Sequence, residues 1–251
     1  MLLLVFVDLD PELAALRPLG GFFVLRTTGG RRPPLPTLAH AYEERSSDVY
    51  GHSIAFRVNK VANVLRAPEM RIAASVAQQG LAARLWSTAL GCAAHYDQVP
   101  DLDPRLLHWD PDGTAPDDLW LTAVRPLPAD AETLADVVLN AHLRPLAAVL
   151  HARHRVAEGL LWGNAASALT GAARQLDGWA RAHGRTDVGD RARELTAELL
   201  AHPLLAGTGT LTGTAFRRRS CCLYYRVPGG GVCGDCCFPR PPRSSPRAAS
   251  G

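Results

Sequence analysis

The chain has 251 residues and a mass of 26.9 kDa, with 47% hydrophobic and 20% charged residues and a formal net charge of +3. That length accommodates one large domain or two small ones, the composition excludes wholesale disorder, and so small a charge makes no electrostatic case for nucleic acid as a partner. No run of 18 or more apolar residues occurs, so the sequence reads as having no transmembrane segment.

The apolar start, residues 1–7, lacks a basic flank and runs into Asp8 and Asp10. It reads as a buried strand over 2–7 rather than a signal peptide, which places the protein in the cytoplasm. A second strand is expected over 21–26, a loop over 28–34 and a short helix over 38–44. Over 68–94, Ile72, Val76, Leu81, Leu85, Ala89 and Cys92 follow helical spacing with Ala filling most other positions, which predicts a central helix apolar nearly all round. Strands over 105–109 and 118–124 flank the turn residues Asp110-Pro111-Asp112-Gly113 and are expected to pair antiparallel. Helices follow over 130–142, from Pro145 toward His154, over 158–182 and over 187–201. Gly207, Gly209 and Gly213 then loosen the chain into a strand-like 212–219. The expected fold class is α+β, mostly helical with a small antiparallel sheet and a C-terminal metal-binding segment. The expected division is 1–67, 68–216, 217–238 and a Pro-, Ser- and Arg-rich disordered tail over 239–251.

Of six cysteines, five fall within 17 residues: Cys221, Cys222, Cys233, Cys236 and Cys237. A disulfide framework spreads its cysteines to close loops, whereas a tight cluster in a reducing compartment points to a metal. In Cys233-Gly234-Asp235-Cys236 the glycine permits the tight turn that lets two thiolates share one metal. The insert 223–232 reads as a β-forming half followed by a Pro-Gly-Gly-Gly hairpin tip, which would fold Cys221 and Cys222 back against Cys233 and Cys236. On residue chemistry alone, tetrahedral zinc and a [2Fe–2S] cluster both suit four thiolates, with a vicinal disulfide as a third reading.

The stretch Arg217-Arg-Arg-Ser-Cys-Cys-Leu-Tyr-Tyr-Arg226 followed by Cys233-Gly-Asp-Cys236 resembles the C-terminus of the FhuF-type ferric siderophore reductases, whose Cys-Cys-x10-Cys-x2-Cys spacing it reproduces. Residues 160–169, and 71–75 through 84–87, are also similar to that family, so the resemblance spans about 68–238. It implies a [2Fe–2S] cluster carried by Cys221, Cys222, Cys233 and Cys236, and one-electron reduction of a ferric siderophore in the cytoplasm with release of ferrous iron. Cys237 lies outside the family pattern and is either interchangeable with Cys236 as fourth ligand or a spare thiol.

Four arginines beside the cysteines, Arg217, Arg218, Arg219 and Arg226, are candidates for raising the cluster potential and for contact with a ligand or an acidic electron donor; a solvated surface patch is the alternative. Tyr224 and Tyr225 are expected to alternate on a strand, one inward and one outward. Gly163 and Asn164 are poor residues for a helix interior, which indicates either tight helix packing or close approach of the cluster or ligand. His142 and Cys92 read as packing residues. No dinucleotide fingerprint, phosphate-binding loop, nucleophile elbow or His-Glu-x-x-His occurs. The electrons are therefore expected from an external ferredoxin- or flavodoxin-like donor. The competing functional readings are a [2Fe–2S] electron carrier or redox sensor, and an interaction module that binds zinc through four cysteines.

Overall fold

The computed structural model describes residue 13 and residues 16–28, 34–43 and 53–242. The strand expected over 2–7 and the tail beyond residue 242 lie outside the described residues. The order of elements is β1 (Arg26–Thr27), α1 (Leu38–Glu43), α2 (Ser53–Leu65), α3 (Met70–Tyr96), β2 (Gln98–Pro100), β3 (Leu107–Trp109), β4 (Leu119–Leu121), β5 (Pro126–Pro128), α4 (Ala131–His154), α5 (Glu158–Ala182), α6 (Thr186–Leu200), β6 (Gly209–Thr212) and β7 (Ala215–Arg218). The protein is α+β, mostly helical with small sheets.

Helix α3 is the axis. It is buried on every side over most of its length, with Ile72, Leu85, Trp86 and Leu90 essentially inaccessible. Each such side chain contributes about 1.5–3 kcal/mol. Its densest packing is against α5, which buries Leu161, Ala165, Ala166, Leu169 and Ala172. Helix α6 closes the other side of α5, and α2 lies on α3. One apolar core runs from Leu13 to Phe216 and takes in Ile54 and Val58 of α2.

Helix α4 opens with Asp130 as N-cap, its carboxylate accepting from the Thr133 N–H at 2.7 Å. Ala135–Leu143 winds as a π-helix and Arg144–His154 returns to α geometry, with Pro145 in the first turn of that return. Proline has no N–H to give and crowds the preceding turn, and the wider winding spans that junction without breaking the rod. The two helices expected on either side of residue 143 are thus one continuous element. By length and composition it is the single helix among the described residues that could cross a membrane, and it is mostly buried inside the protein.

The 105–109 and 118–124 segments pair antiparallel as β3 and β4, with Leu107 opposite Leu121 and Trp109 opposite Leu119. Strand β1 adds to β4 in parallel. The strand expected over 21–26 is not formed as such: Gly21–Phe23 is a turn and only Arg26 enters a sheet. The cause is Arg84, buried on α3. It takes the carbonyls of Phe22 and Val24 (2.9 Å for the latter) together with the Asp118 carboxylate at 2.9 Å, so the acceptors a neighbouring strand would need are already used.

Candidate metal centre

The strand-like 212–219 segment is a hairpin, with Gly209 opposite Arg218 and the left-handed Gly213 (φ +61°) at its turn. Strand β7 sends Phe216 and Arg218 inward and Arg217 outward, and delivers the chain to Cys221 against the α3–α5 seam. Four anchors hold the cysteine segment there. The Ser75 hydroxyl on α3 donates to the Cys222 carbonyl at 2.8 Å. The Ser220 hydroxyl donates to the Gly159 carbonyl at 3.0 Å. Arg226 pairs with Glu69, at the start of α3, at 2.8 Å. Asp235, between the last two motif cysteines, accepts from the Ser167 hydroxyl at 2.7 Å and from Arg174 at 3.1 Å, both on α5.

Asn164 joins these anchors. Its amide nitrogen donates to the backbone carbonyl of Ser75 at 2.9 Å, and its oxygen accepts from the Arg218 guanidinium. Beside it, a Cβ at Gly163 would overlap the Ser220 hydroxyl and stand 3.3 Å from Arg218 Nη2. What comes close at these two positions is neither a neighbouring helix nor a ligand but the stretch leading into Cys221. Asn164 was legible from its poor helix propensity. Ser75, Ser167, Arg174, Glu69 and Asp235 were not singled out as site residues, because a serine or arginine on a helix surface has no local signature.

The insert 223–232 does not form the expected β-hairpin. Leu223 adopts a left-handed conformation (φ 69°), Tyr224–Arg226 make one 3₁₀ turn, and the Gly230 N–H closes a further turn on the Val227 carbonyl at 2.8 Å. Tyr224 and Tyr225 accordingly do not alternate on a strand: Tyr224 is exposed and Tyr225 stands edge-on to Phe238. The compact turns still return the chain, and Cys222 Sγ lies 3.5 Å from Cys233 Sγ. Two thiolates about 2.3 Å from one tetrahedral metal stand about 3.8 Å apart, so this pair is close to the spacing a shared metal imposes. Cys222 is buried; Cys221, Cys233, Cys236 and Cys237 are half-buried. Backbone N–H groups of Leu223 and Phe238 point at the sulfurs of Cys221 (3.2 Å) and Cys236 (3.4 Å), as hydrogen bonds to cluster thiolates would. Among the described residues no three such groups close round a single point. The donors form one tight pair, Cys222 and Cys233, with Cys221, Cys236 and Cys237 in the same segment.

Electrostatics agree. The hydrogen bond from the Cys233 thiol draws Cys222 down to about 7, helped by Arg218 and opposed by burial, and Cys233 holds its proton correspondingly harder. Burial raises Cys221 and Cys237. The four candidate arginines do not form one patch. Arg217 and Arg219 face solvent, Arg226 is tied to Glu69, and Arg218 is 2% exposed, with Nε and Nη1 lacking any partner. An orphaned buried cation against a set of thiols is what an anionic, thiolate-bound centre would complete. Cys92 is fully buried in the core, where burial raises its thiol, and His142 is fully buried on α4.

Residues 73–218 match the family described as ferric iron reductase FhuF-like transporter, and residues 218–238 match the FhuF 2Fe-2S C-terminal domain. The chain belongs to the FhuF-like ferric iron reductase family. No curated protein matches the chain. As a FhuF-like protein it carries a [2Fe–2S] cluster in its C-terminal segment. The two FhuF matches meet at Arg218, the residue through which the helical body and the cysteine segment are joined.

Proposed function

We propose that the protein reduces a ferric siderophore by one electron in the cytoplasm, and that Cys221, Cys222, Cys233 and Cys236 hold the cluster. The observation that carries this reading is the 3.5 Å Cys222–Cys233 pair inside the segment matched by the family's 2Fe-2S domain. When bound, the cluster supplies one-electron transfer at a potential tuned by charge, hydrogen bonds and exposure. The chain's own residues do the rest. Ser75, Ser220 and Asp235 fix the thiols to rigid helices, and Arg218 sets a positive charge beside them. We read 68–216 as the scaffold and 217–238 as the redox segment.

Ferric iron is hard and is gripped by hydroxamate or catecholate oxygens; ferrous iron is held far less tightly by the same donors. One electron added to Fe(III) therefore turns a tight complex into one that gives up its metal, with the siderophore ligand itself unchanged. The electron comes from a protein donor of ferredoxin or flavodoxin type. Tyr224, Val232 and Phe238 are exposed large hydrophobic residues within the cysteine segment, and the exposed Arg217 donates to the Cys237 carbonyl, next to Phe238, at 3.2 Å. Exposed apolar residues with a cation beside them suit a small acidic carrier.

The test starts with anaerobically purified protein, assayed for iron, sulfide and zinc alongside its visible spectrum. The expected result is a red-brown protein with about two irons and two sulfides per chain. The chemically reduced protein is then mixed with a ferric hydroxamate or catecholate, and ferrous iron is trapped. A colourless protein with one zinc rejects the reading. A loaded cluster that reoxidises with no ferric complex leaves an electron carrier instead.

A further inference from the structure

We infer that Arg218 is the built-in counter-charge of the iron–sulfur centre: a buried guanidinium left without a carboxylate so that its charge answers the cluster and holds the reduction potential up. This rests on the cluster assignment above and goes beyond it in giving one residue control of the potential.

The comparison with Arg84 makes the case. Both guanidinium groups are 2% exposed. Arg84 is satisfied in the ordinary way for a buried cation, by the Asp118 carboxylate at 2.9 Å and by backbone carbonyls. Arg218 reaches only neutral acceptors, Asn164 Oδ1 and the Leu160 carbonyl at 3.4 Å, while Nε and Nη1 reach nothing. Among the described residues no carboxylate lies within ion-pair distance of it. The nearest acid in the motif, Asp235, gives Arg218 only its backbone carbonyl, at 3.0 Å from the Arg218 N–H; its carboxylate is taken by Ser167 and Arg174. A buried charge left unpaired is strongly disfavoured. Something anionic has to answer it, and the segment against Arg218 is the cysteine one: its N–H meets the carbonyl of Asp235, between Cys233 and Cys236, and its strand ends three residues before Cys221.

Charge arithmetic gives the direction. Two ferric ions, two sulfides and four thiolates sum to a dianion, and one electron makes a trianion. A fixed cation in a poorly solvated site favours the more negative state, so it raises the potential. Arginine keeps its charge at every physiological pH, so this contribution does not titrate away. Position 164 completes the device. An amide there orients the guanidinium and leaves its charge intact, whereas a carboxylate of the same shape would cancel it.

The experiment measures the midpoint potential of the loaded protein by spectroelectrochemistry in wild type, Asn164→Asp, Arg218→Gln and Arg218→Lys. Asn164→Asp and Arg218→Gln are each expected to lower it by a tenfold change in the reduction equilibrium or more, about 59 mV for one electron. Arg218→Lys is expected to retain most of the wild-type value. Where Arg218→Gln does not load a cluster, Asn164→Asp decides, because it alters charge at unchanged shape. A loaded Asn164→Asp protein at the wild-type potential overturns the inference. A wild-type protein without iron and sulfide overturns the cluster assignment first, and that failure is read from the metal assay alone.

Discussion

The Ser75 hydroxyl, in the first third of α3, donates to the backbone carbonyl of Cys222 at 2.8 Å, across 147 positions of sequence. Ser75 is fully buried, and its own carbonyl and hydroxyl both accept from Asn164. Ser75→Ala leaves the Cys222 carbonyl and the Asn164 amide each short of a partner, at a cost of about 1–3 kcal/mol. The expected outcome is a cluster that still forms but bleaches faster under an iron chelator than in wild type, followed in the visible band. Bleaching at the wild-type rate would show that this hydrogen bond does not hold the thiol.

Cys222→Ser and Cys233→Ser are expected to remove the cluster, with iron and sulfide falling to near zero, because the two sulfurs form the close pair. Cys237→Ser and Cys92→Ala are expected to keep it. Cys92 is sealed in the core, and Cys237 lies outside the four-cysteine spacing. Retention of the native spectrum by Cys236→Ser together with its loss in Cys237→Ser would transfer the fourth ligand to Cys237.

Two glycines of α5 separate packing from propensity. Gly→Ala in an open helix site stabilises by about 0.8–1 kcal/mol. Gly171 has nothing near its missing Cβ, so Gly171→Ala is expected to raise the melting temperature. At Gly163 the new methyl would meet the Ser220 hydroxyl and detach it from the Gly159 carbonyl. Overpacking of this kind costs about 1–3 kcal/mol, which outweighs the gain, so Gly163→Ala is expected to lower the melting temperature and loosen the cluster.

His142 supplies an acid-sensitive element away from the cluster. Its Nε2 donates to the Leu102 carbonyl at 2.5 Å, since that oxygen can only accept, and Nδ1 lies 3.0 Å from the Tyr42 hydroxyl. Burial holds the ring down at about 4, so at neutral pH it is uncharged and Nδ1 accepts from the Tyr42 hydroxyl. The folded value lies below the unfolded one near 6.5, so the unfolded chain takes up the proton first as pH falls. Stability is full above pH 6.5 and declines toward pH 4, by about 3 kcal/mol in all. Urea titrations at pH 7 and pH 5 are expected to show about 2 kcal/mol of this loss in wild type and a smaller one in His142→Asn. Equal losses in both would assign the acid sensitivity to other groups.

Periodicity and turn chemistry made the long elements legible. α3, α5 and α6 fall within two residues of their expected positions, and the β3–β4 pair is where the Asp-Pro-Asp-Gly turn implied it. What escaped was long-range. Nothing near residue 21 announces that Arg84, some sixty positions later, takes the carbonyls of that segment. Nothing in the β-forming residues Leu223, Tyr224 and Tyr225 announces a left-handed residue followed by a 3₁₀ turn. At the site, the thiols were readable because cysteine spacing is itself chemistry. Their supports were not, apart from Asn164, whose place in a helix interior needed a reason. The arginines were readable as a run but not as individuals: strand alternation turns Arg218 inward between two exposed neighbours, and only the fold shows that it meets no carboxylate there.

The anchors of the cysteine segment sit on α3 and α5, the nearest of them, Asn164, 54 positions before its partner. A chain made from its N-terminus therefore finishes the cradle while the thiols are still unsynthesised. Biogenesis acquires an order: scaffold, then sulfur ligands, then iron. A protein proposed to liberate iron must first be supplied with it, and this architecture defers that demand until the scaffold residues have been made.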